Sequence, residues 1–70
     1  MIEYVVYRVG GSLGEQKNAD KFIGGRMAKK VKSFSSKRDA KEFADRRRLS
    51  LTPGEKSYYR IGYRVIKEYN

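Results

Sequence analysis

Apolar and polar residues alternate along the chain in a way that predicts two strands in its first half. Residues Ile2–Val9, IEYVVYRV, are β-branched or aromatic in both phases of a two-residue alternation. Because successive side chains of a strand face opposite sides, this pattern predicts a strand that is buried on both faces and central in its sheet. Residues Arg26–Phe34, RMAKKVKSF, alternate less regularly and carry three lysines, which predicts a short second strand, antiparallel to the first.

The second half predicts a helix and then a further strand. Ser36, with Asp39 three residues later, forms a weak capping box before a stripe of residues at helical spacing. The members of that stripe are Ala40, Phe43, Ala44, Arg47 and Leu51. Residues 52–55, TPGE, predict a β-turn. Alternation then resumes over residues 57–70.

This last predicted strand has two unlike faces. Its odd positions between residues 59 and 65 are all apolar, so we expect that face to pack under the helix. Its other face presents Arg60 and Arg64 on either side of Gly62, where there is no side chain. We therefore expect both arginines on the sheet face that a single helix leaves uncovered.

These elements predict an α+β fold with the order β-β-α-β, in which one helix packs on one face of a three-stranded, mainly antiparallel sheet. Residues 1–70 should form a single small domain, since a chain of this length has room for one core. The glycine-bracketed segment at about residues 10–25 has a weak pattern, and we expect a flexible loop there with one helical turn around residues 19–23. The last strand should neighbour the first or the second strand, and the pattern fits both orders.

Composition excludes several kinds of chemistry. The chain has no cysteine and no histidine, which removes disulfides, thiolate and imidazole metal ligands, and nucleophiles activated by histidine. No stretch approaches the roughly 20 apolar residues of a membrane span, and the amino-terminal apolar run is too interrupted for a signal peptide. We expect a soluble cytoplasmic protein without catalytic residues, metal, cofactor, small-molecule ligand or membrane partner.

Positive charge is concentrated in one third of the chain. The net charge is +9, and residues 26–48 contain ten basic and three acidic residues, whereas residues 1–25 are neutral overall. Such a field favours encounter with polyanions. We expect folding to gather the cations on one continuous surface; if Lys30, Arg47 and Arg64 pointed in unrelated directions, the hypothesis would be abandoned. The predicted nucleic-acid-binding residues are Arg26, Lys29, Lys30, Lys32, Arg46, Arg47, Arg48, Arg60 and Arg64.

Each of these features also has a purely structural interpretation. The charge can serve solubility, and the three arginines at 46–48 can complement the carboxyl end of the helix. The tyrosines can stack on unpaired bases, or they can be core residues with hydroxyls at the rim. Residues 54–57, GEKS, do not form a Walker loop, because a glutamate separates glycine from lysine and a strand is predicted to follow.

Two resemblances bear on the carboxyl half. The segment YYRIGYRV resembles a strand of RelE and ParE type toxins, some of which cleave messenger RNA with Arg, Lys and Tyr, although that family has helices before its sheet. The longer segment FSSKRDAKEFADRRRLSLTPGEKSYYRIGYRVI resembles short uncharacterised proteins of phages and prophages. The second resemblance implies an origin in a mobile element, and hence a location in the cytoplasm of the host cell.

The function predicted from these observations is that of a small basic nucleic-acid-binding protein without enzymatic activity. A protein-binding module is the alternative: a phage-encoded inhibitor or assembly factor that docks on an acidic host protein, since arginine and tyrosine are enriched at protein interfaces. A RelE-like ribonuclease is a distant third. The sequence leaves open DNA versus RNA, sequence specificity and oligomeric state.

Overall fold

The chain forms a four-stranded antiparallel sheet with one long helix across one face. The computed structural model describes residues 1–69, and Asn70, with which the last predicted strand ends, lies outside them. The strand order is β2-β3-β1-β4. The elements are β1 (Ile2–Val9), α1 (Leu13–Lys17), β2 (Lys21–Ile23), β3 (Arg26–Phe34), α2 (Lys37–Leu49), α3 (Pro53–Ser57) and β4 (Gly62–Tyr69).

The predicted α+β class is confirmed, and so is the central position of β1, which pairs antiparallel with both β3 and β4. The predicted count of three strands and one helix is wrong. The segment at residues 10–25, predicted as a loop, contains α1 and β2, and the turn predicted at residues 52–55 is the start of α3. Alternation also placed the start of the last strand too early, because β4 begins at Gly62.

Local signals for all three missed elements are present in the sequence. Ser12 caps α1 by accepting from the amide of Glu15, as an S-x-x-E spacing allows. Gly24 and Gly25 both have positive φ, as the two-residue turn of a tight hairpin requires, and they join β2 to β3. Thr52 and Glu55 form a complete capping box around a proline at the start of α3.

Helix α2 packs closely on the sheet because its inward face is made of small residues. Ala40 and Ala44 are fully buried, as the stripe predicted, and Ser36 caps the helix by accepting from the amide of Asp39. Phe43 lies at the flank, where its ring packs 5.3 Å from that of Phe34. The buried residues on this side are Val6, Ala40, Ala44, Ile61 and Tyr63.

We call the side of the sheet opposite α2 the open face. The sheet curls, and this curvature buries part of the open face. Lys21 on β2 and Glu68 on β4 form an ion pair of 3.1 Å, although these strands are the two edges of the sheet. Edge strands of a flat four-stranded sheet would lie about 14 Å apart. Curling therefore encloses a second apolar cluster, whose buried members are Val5, Tyr7, Val9 and Ala28.

A hydrogen bond on the open face should make folding stability depend on pH. The Tyr7 hydroxyl donates to Glu68 Oε2. Burial, together with this bond, raises the pKa of Tyr7 from 10.0 to about 12. The same bond, with a further one from Lys21, lowers the pKa of Glu68.

Replacing Tyr7 by phenylalanine should remove the contribution of Tyr7 and part of that of Glu68, whose bond from Lys21 remains. The raised pKa of Tyr7 gives stability that is present below pH 10 and lost as pH rises from 10 to about 12. The lowered pKa of Glu68 gives stability that is present above the usual glutamate range and lost as pH falls through it. Urea denaturation at a series of pH values should therefore show that the free energy of unfolding changes less with pH for Tyr7→Phe than for the native chain, at both the acidic and the basic end. Tyr69→Phe, at an exposed tyrosine, is the control, and parallel curves for Tyr7→Phe and the native chain would contradict the prediction.

Candidate functional site

A β-bulge in β3 changes which of its lysines face α2. Lys30 lies opposite Tyr7, and Lys32 lies opposite Val6, the residue directly before Tyr7 in β1. Val31 is therefore an extra residue in β3, with no partner of its own in β1.

The bulge places Lys29 and Lys32 on the same side of the sheet. Lys29 lies opposite Arg8 and Lys32 opposite Val6, and these two β1 residues share the face that α2 covers. In a regular strand, residues three apart face opposite sides. The irregularity thus aligns two cations that simple alternation would separate.

Two cations are held on the ring of Phe43. The Nζ atom of Lys32 lies 5.8 Å from the ring centroid, and Cζ of Arg47 lies 5.0 Å from it. Within residues 1–69, neither side chain forms an ion pair. The ring of Phe43 therefore brings two positive charges together without neutralising them, and Lys32 also lies 5.4 Å from the ring of Phe34.

Arg47 also lines a cleft of about 410 Å³, which we call the basic cleft, between α2, β3 and the segment that holds α1. Two cations of this cleft have acidic neighbours: Arg8 pairs with Glu15 at 3.3 Å, and Lys29 lies 3.8 Å from Asp20. Lys29 also donates to the carbonyl oxygen of residue 18 at 3.1 Å. Lys30 and Arg47 also line the cleft, whereas Lys32 lies on Phe43. None of these three side chains forms an ion pair within residues 1–69. We call the surface formed by Lys29, Lys32, Phe43 and Arg47 the helix-side groove.

The structure divides the predicted residues between two faces. Lys30 and Arg64 both lie opposite Tyr7, one on each neighbouring strand, and so they share the open face, although Lys30 also lines the basic cleft. Arg47 lies on the other side, with α2. The expectation of one continuous cationic surface is wrong, and the hypothesis is carried forward for the helix-side residues alone.

The other arginines of α2 differ in their availability. Arg48 donates to Asp45 and to the carbonyl oxygen of Tyr63, each at 2.6 Å, and thereby joins α2 to β4. Arg46 is exposed in the last turn and forms no ion pair within the described part of the chain. Arg48 is thus a structural residue, whereas Arg46 remains free for a partner.

Arg60 does not lie on the sheet, contrary to expectation. It precedes β4 and has a φ of 55°, the one positive φ outside glycine among the described residues. With Arg26 it lines a second, smaller cleft of about 260 Å³, which we call the aromatic cleft. Tyr59, expected in the core, is 46% exposed and lines this cleft together with Phe22.

The two clefts adjoin, since Gly10, Gln16 and Met27 line both of them. Sequence reasoning missed Arg8, Phe22 and Tyr59 as members of this region. For Phe22 the available signal was the hairpin turn at Gly24 and Gly25, which makes it a strand residue. For Arg8 there was no such signal, because the pattern of β1 is set by the apolar residues around it.

Comparison of the chain with protein-family models, with curated proteins and with solved structures found no match. Among residues 1–69, no helix is long and apolar enough to cross a membrane. The same residues contain no cluster of three acidic side chains able to hold a metal ion.

Proposed function

We propose that this chain is a small nucleic-acid-binding protein, without enzymatic activity, that holds phosphates along the helix-side groove. The observation that carries the proposal is that Lys32 and Arg47 lie on Phe43, on the same side of the sheet as Lys29, with no ion-pair partner among residues 1–69. Lysine supplies a mobile point charge, and arginine supplies a planar fork that can bind two phosphate oxygens. Their combination suits phosphate groups.

The length of the groove favours a polymer over a single anion. Lys29 and Lys32 lie three residues apart on β3, which at roughly 3.3 Å per residue is about 10 Å, and Arg47 lies beside Lys32 across Phe43. Cations spread along that length match a series of phosphates, and an exposed aromatic region continues the track at its Arg26 end. The phage or mobile-element origin and the cytoplasmic location remain predictions that accompany this function.

Direct titration tests the proposal. Fluorescence anisotropy with labelled oligonucleotides, single-stranded and duplex, should show binding that weakens as salt is raised. Three phosphate contacts predict a slope of log K against log salt of about −2 for single strands and about −3 for duplex DNA, from roughly 0.7 and 0.9 per phosphate. Absence of binding to every oligonucleotide at about 50 mM salt would refute the proposal.

A protein-binding module that docks on an acidic host protein is the second candidate. The outer edge of β4 favours it, since no further strand covers that edge among the described residues, and free edges accept strands from other proteins. Nuclease treatment separates the candidates: a complex that survives digestion supports a protein partner, and one that is lost supports nucleic acid. The RelE-like ribonuclease remains the third candidate.

A further inference from the structure

We propose that the aromatic cleft receives one unpaired nucleobase stacked on Tyr59, so that the ligand of the helix-side groove is a single strand. This inference rests on the proposed function and deepens it. It assigns base contact to one end of the track and phosphate contact to the other.

The cleft presents aromatic surface that the fold leaves exposed. Phe22 is 64% exposed and Tyr59 is 46% exposed, whereas Tyr7 and Tyr63 are buried in the two apolar clusters. The ring of Tyr58 packs edge-on against that of Tyr59, with centroids 4.9 Å apart and planes at 82°, and so supports it. A supported, half-exposed ring is suited to stacking, and every base offers a π-face.

Arg60 is held beside this ring in a conformation that costs free energy. Its φ of 55° lies in the left-handed region, which disfavours residues with a Cβ. Hydrogen bonds on both sides keep it there, from the Gly11 amide to the Tyr59 carbonyl at 3.0 Å and from the Ile61 amide to the Glu55 carbonyl at 2.9 Å. Retained strain of this kind clusters at ligand sites, where it positions a functional side chain.

Arg26 adds an unsatisfied donor at the same place. Its Nη2 atom is buried and has no hydrogen-bond partner among the described residues. Buried donors are nearly always paired, so a bound oxygen atom from a base or a phosphate would complete the site. Arg60 lines the same cleft, which provides a second guanidinium for that ligand.

The volume of the aromatic cleft and its position beside the basic cleft favour a base of a single strand over a base of a duplex. A cleft of about 260 Å³ is smaller than the roughly 300–1,000 Å³ of sites for drug-sized ligands, and it suits one ring system. Because it adjoins the basic cleft, a strand bound along β3 can place a base there. A base within a duplex is stacked and paired, so it cannot enter.

Three probes of about 12 nucleotides test the inference with the native chain: oligothymidine, an abasic strand with the same phosphates, and a duplex. We expect oligothymidine to bind about 5- to 150-fold more tightly than the abasic strand, the range expected for one stacked base. It should also bind more tightly than the duplex.

Variants then assign this preference to the cleft. Tyr59→Ala should bind oligothymidine and the abasic strand equally, whereas Tyr59→Phe should retain the preference. Tyr69→Ala is the matched control, because Tyr69 is an exposed tyrosine at the far end of β4. Arg60→Gly relieves the backbone strain, so we expect an unchanged or higher Tm together with weaker binding of oligothymidine.

The outcomes separate this inference from the proposed function. Salt-dependent binding of equal strength to oligothymidine and the abasic strand overturns the base-binding inference and leaves phosphate binding intact. Preference for the duplex overturns it as well, and so does a preference that survives Tyr59→Ala. Failure to bind any of the three probes overturns the proposed function itself.

Discussion

Replacement of Gly10 by alanine should lower the free energy of unfolding by about 2–5 kcal/mol, from left-handed strain of roughly 1–2 kcal/mol and overpacking of roughly 1–3 kcal/mol. Gly10 has a φ of +82°. A Cβ there would overlap the Arg60 carbonyl group, with its carbon at 2.8 Å, and Nη2 of Arg26 at 2.7 Å. A domain of this size is stabilised by only about 3.5–10 kcal/mol, at roughly 0.05–0.15 kcal/mol per residue, so the substitution should remove a large fraction of the total stability.

The backbone around Gly10 cannot move aside easily. Its amide donates to the Met27 carbonyl at 3.2 Å, and the next amide, that of Gly11, donates to the Tyr59 carbonyl at 3.0 Å. These bonds join β1 to β3 and to the segment before β4. The overlap therefore has to be relieved by breaking contacts that also shape the aromatic cleft.

Alanine substitutions at two other glycines distinguish the cost of backbone strain from the cost of steric overlap. Gly24 has a φ of +57° but open space around its Cα, so Gly24→Ala should cost only the strain, about 1–2 kcal/mol. Gly54 lies in α3 with negative φ and open space, so Gly54→Ala should be neutral or stabilising by up to about 1 kcal/mol. Urea denaturation of all three variants measures the series. A loss for Gly10→Ala no larger than that for Gly24→Ala would show that the overlap is absorbed.

The elements predicted correctly from the sequence are those whose burial imposes a regular pattern. Strand β1 is buried on both faces and so is apolar in both phases, and α2 packs through alanines at helical spacing. Elements α1, β2 and α3 have three to five residues and no fully buried side chain, so burial leaves no periodic pattern in them. Only their caps and turns identify them, through Ser12, the Gly24–Gly25 pair and the Thr52–Glu55 box.

The candidate site was predictable as a composition but not as a surface. Charge counting pointed to the lysines of β3, yet the bulge at Val31 decides which of them face α2. A bulge depends on the pairing of two distant segments, and periodicity within one segment does not report it. Arg60 illustrates the same limit, because its position follows from a close contact with Gly10 that is fifty residues away in sequence.

The double variant Lys32→Gln/Arg47→Gln should bind oligonucleotides roughly 100-fold more weakly than the native chain at about 50 mM salt. The reason is the loss of two phosphate contacts, each of which contributes roughly 0.7–0.9 to the salt slope. The slope itself should become shallower by about 1.4–1.8. Glutamine keeps part of each side-chain stem on Phe43, and urea denaturation of the variant checks that the fold persists.

Lys30→Gln/Arg64→Gln is the control that separates a located site from net charge. It also removes two positive charges, but from the open face, where both residues flank Tyr7. If phosphates bind in the helix-side groove, this variant should keep the native salt slope, because only the long-range field changes. Equal losses of slope in the two double variants would mean that overall charge drives binding. A larger loss in the Lys30 and Arg64 variant would move the interface to the open face.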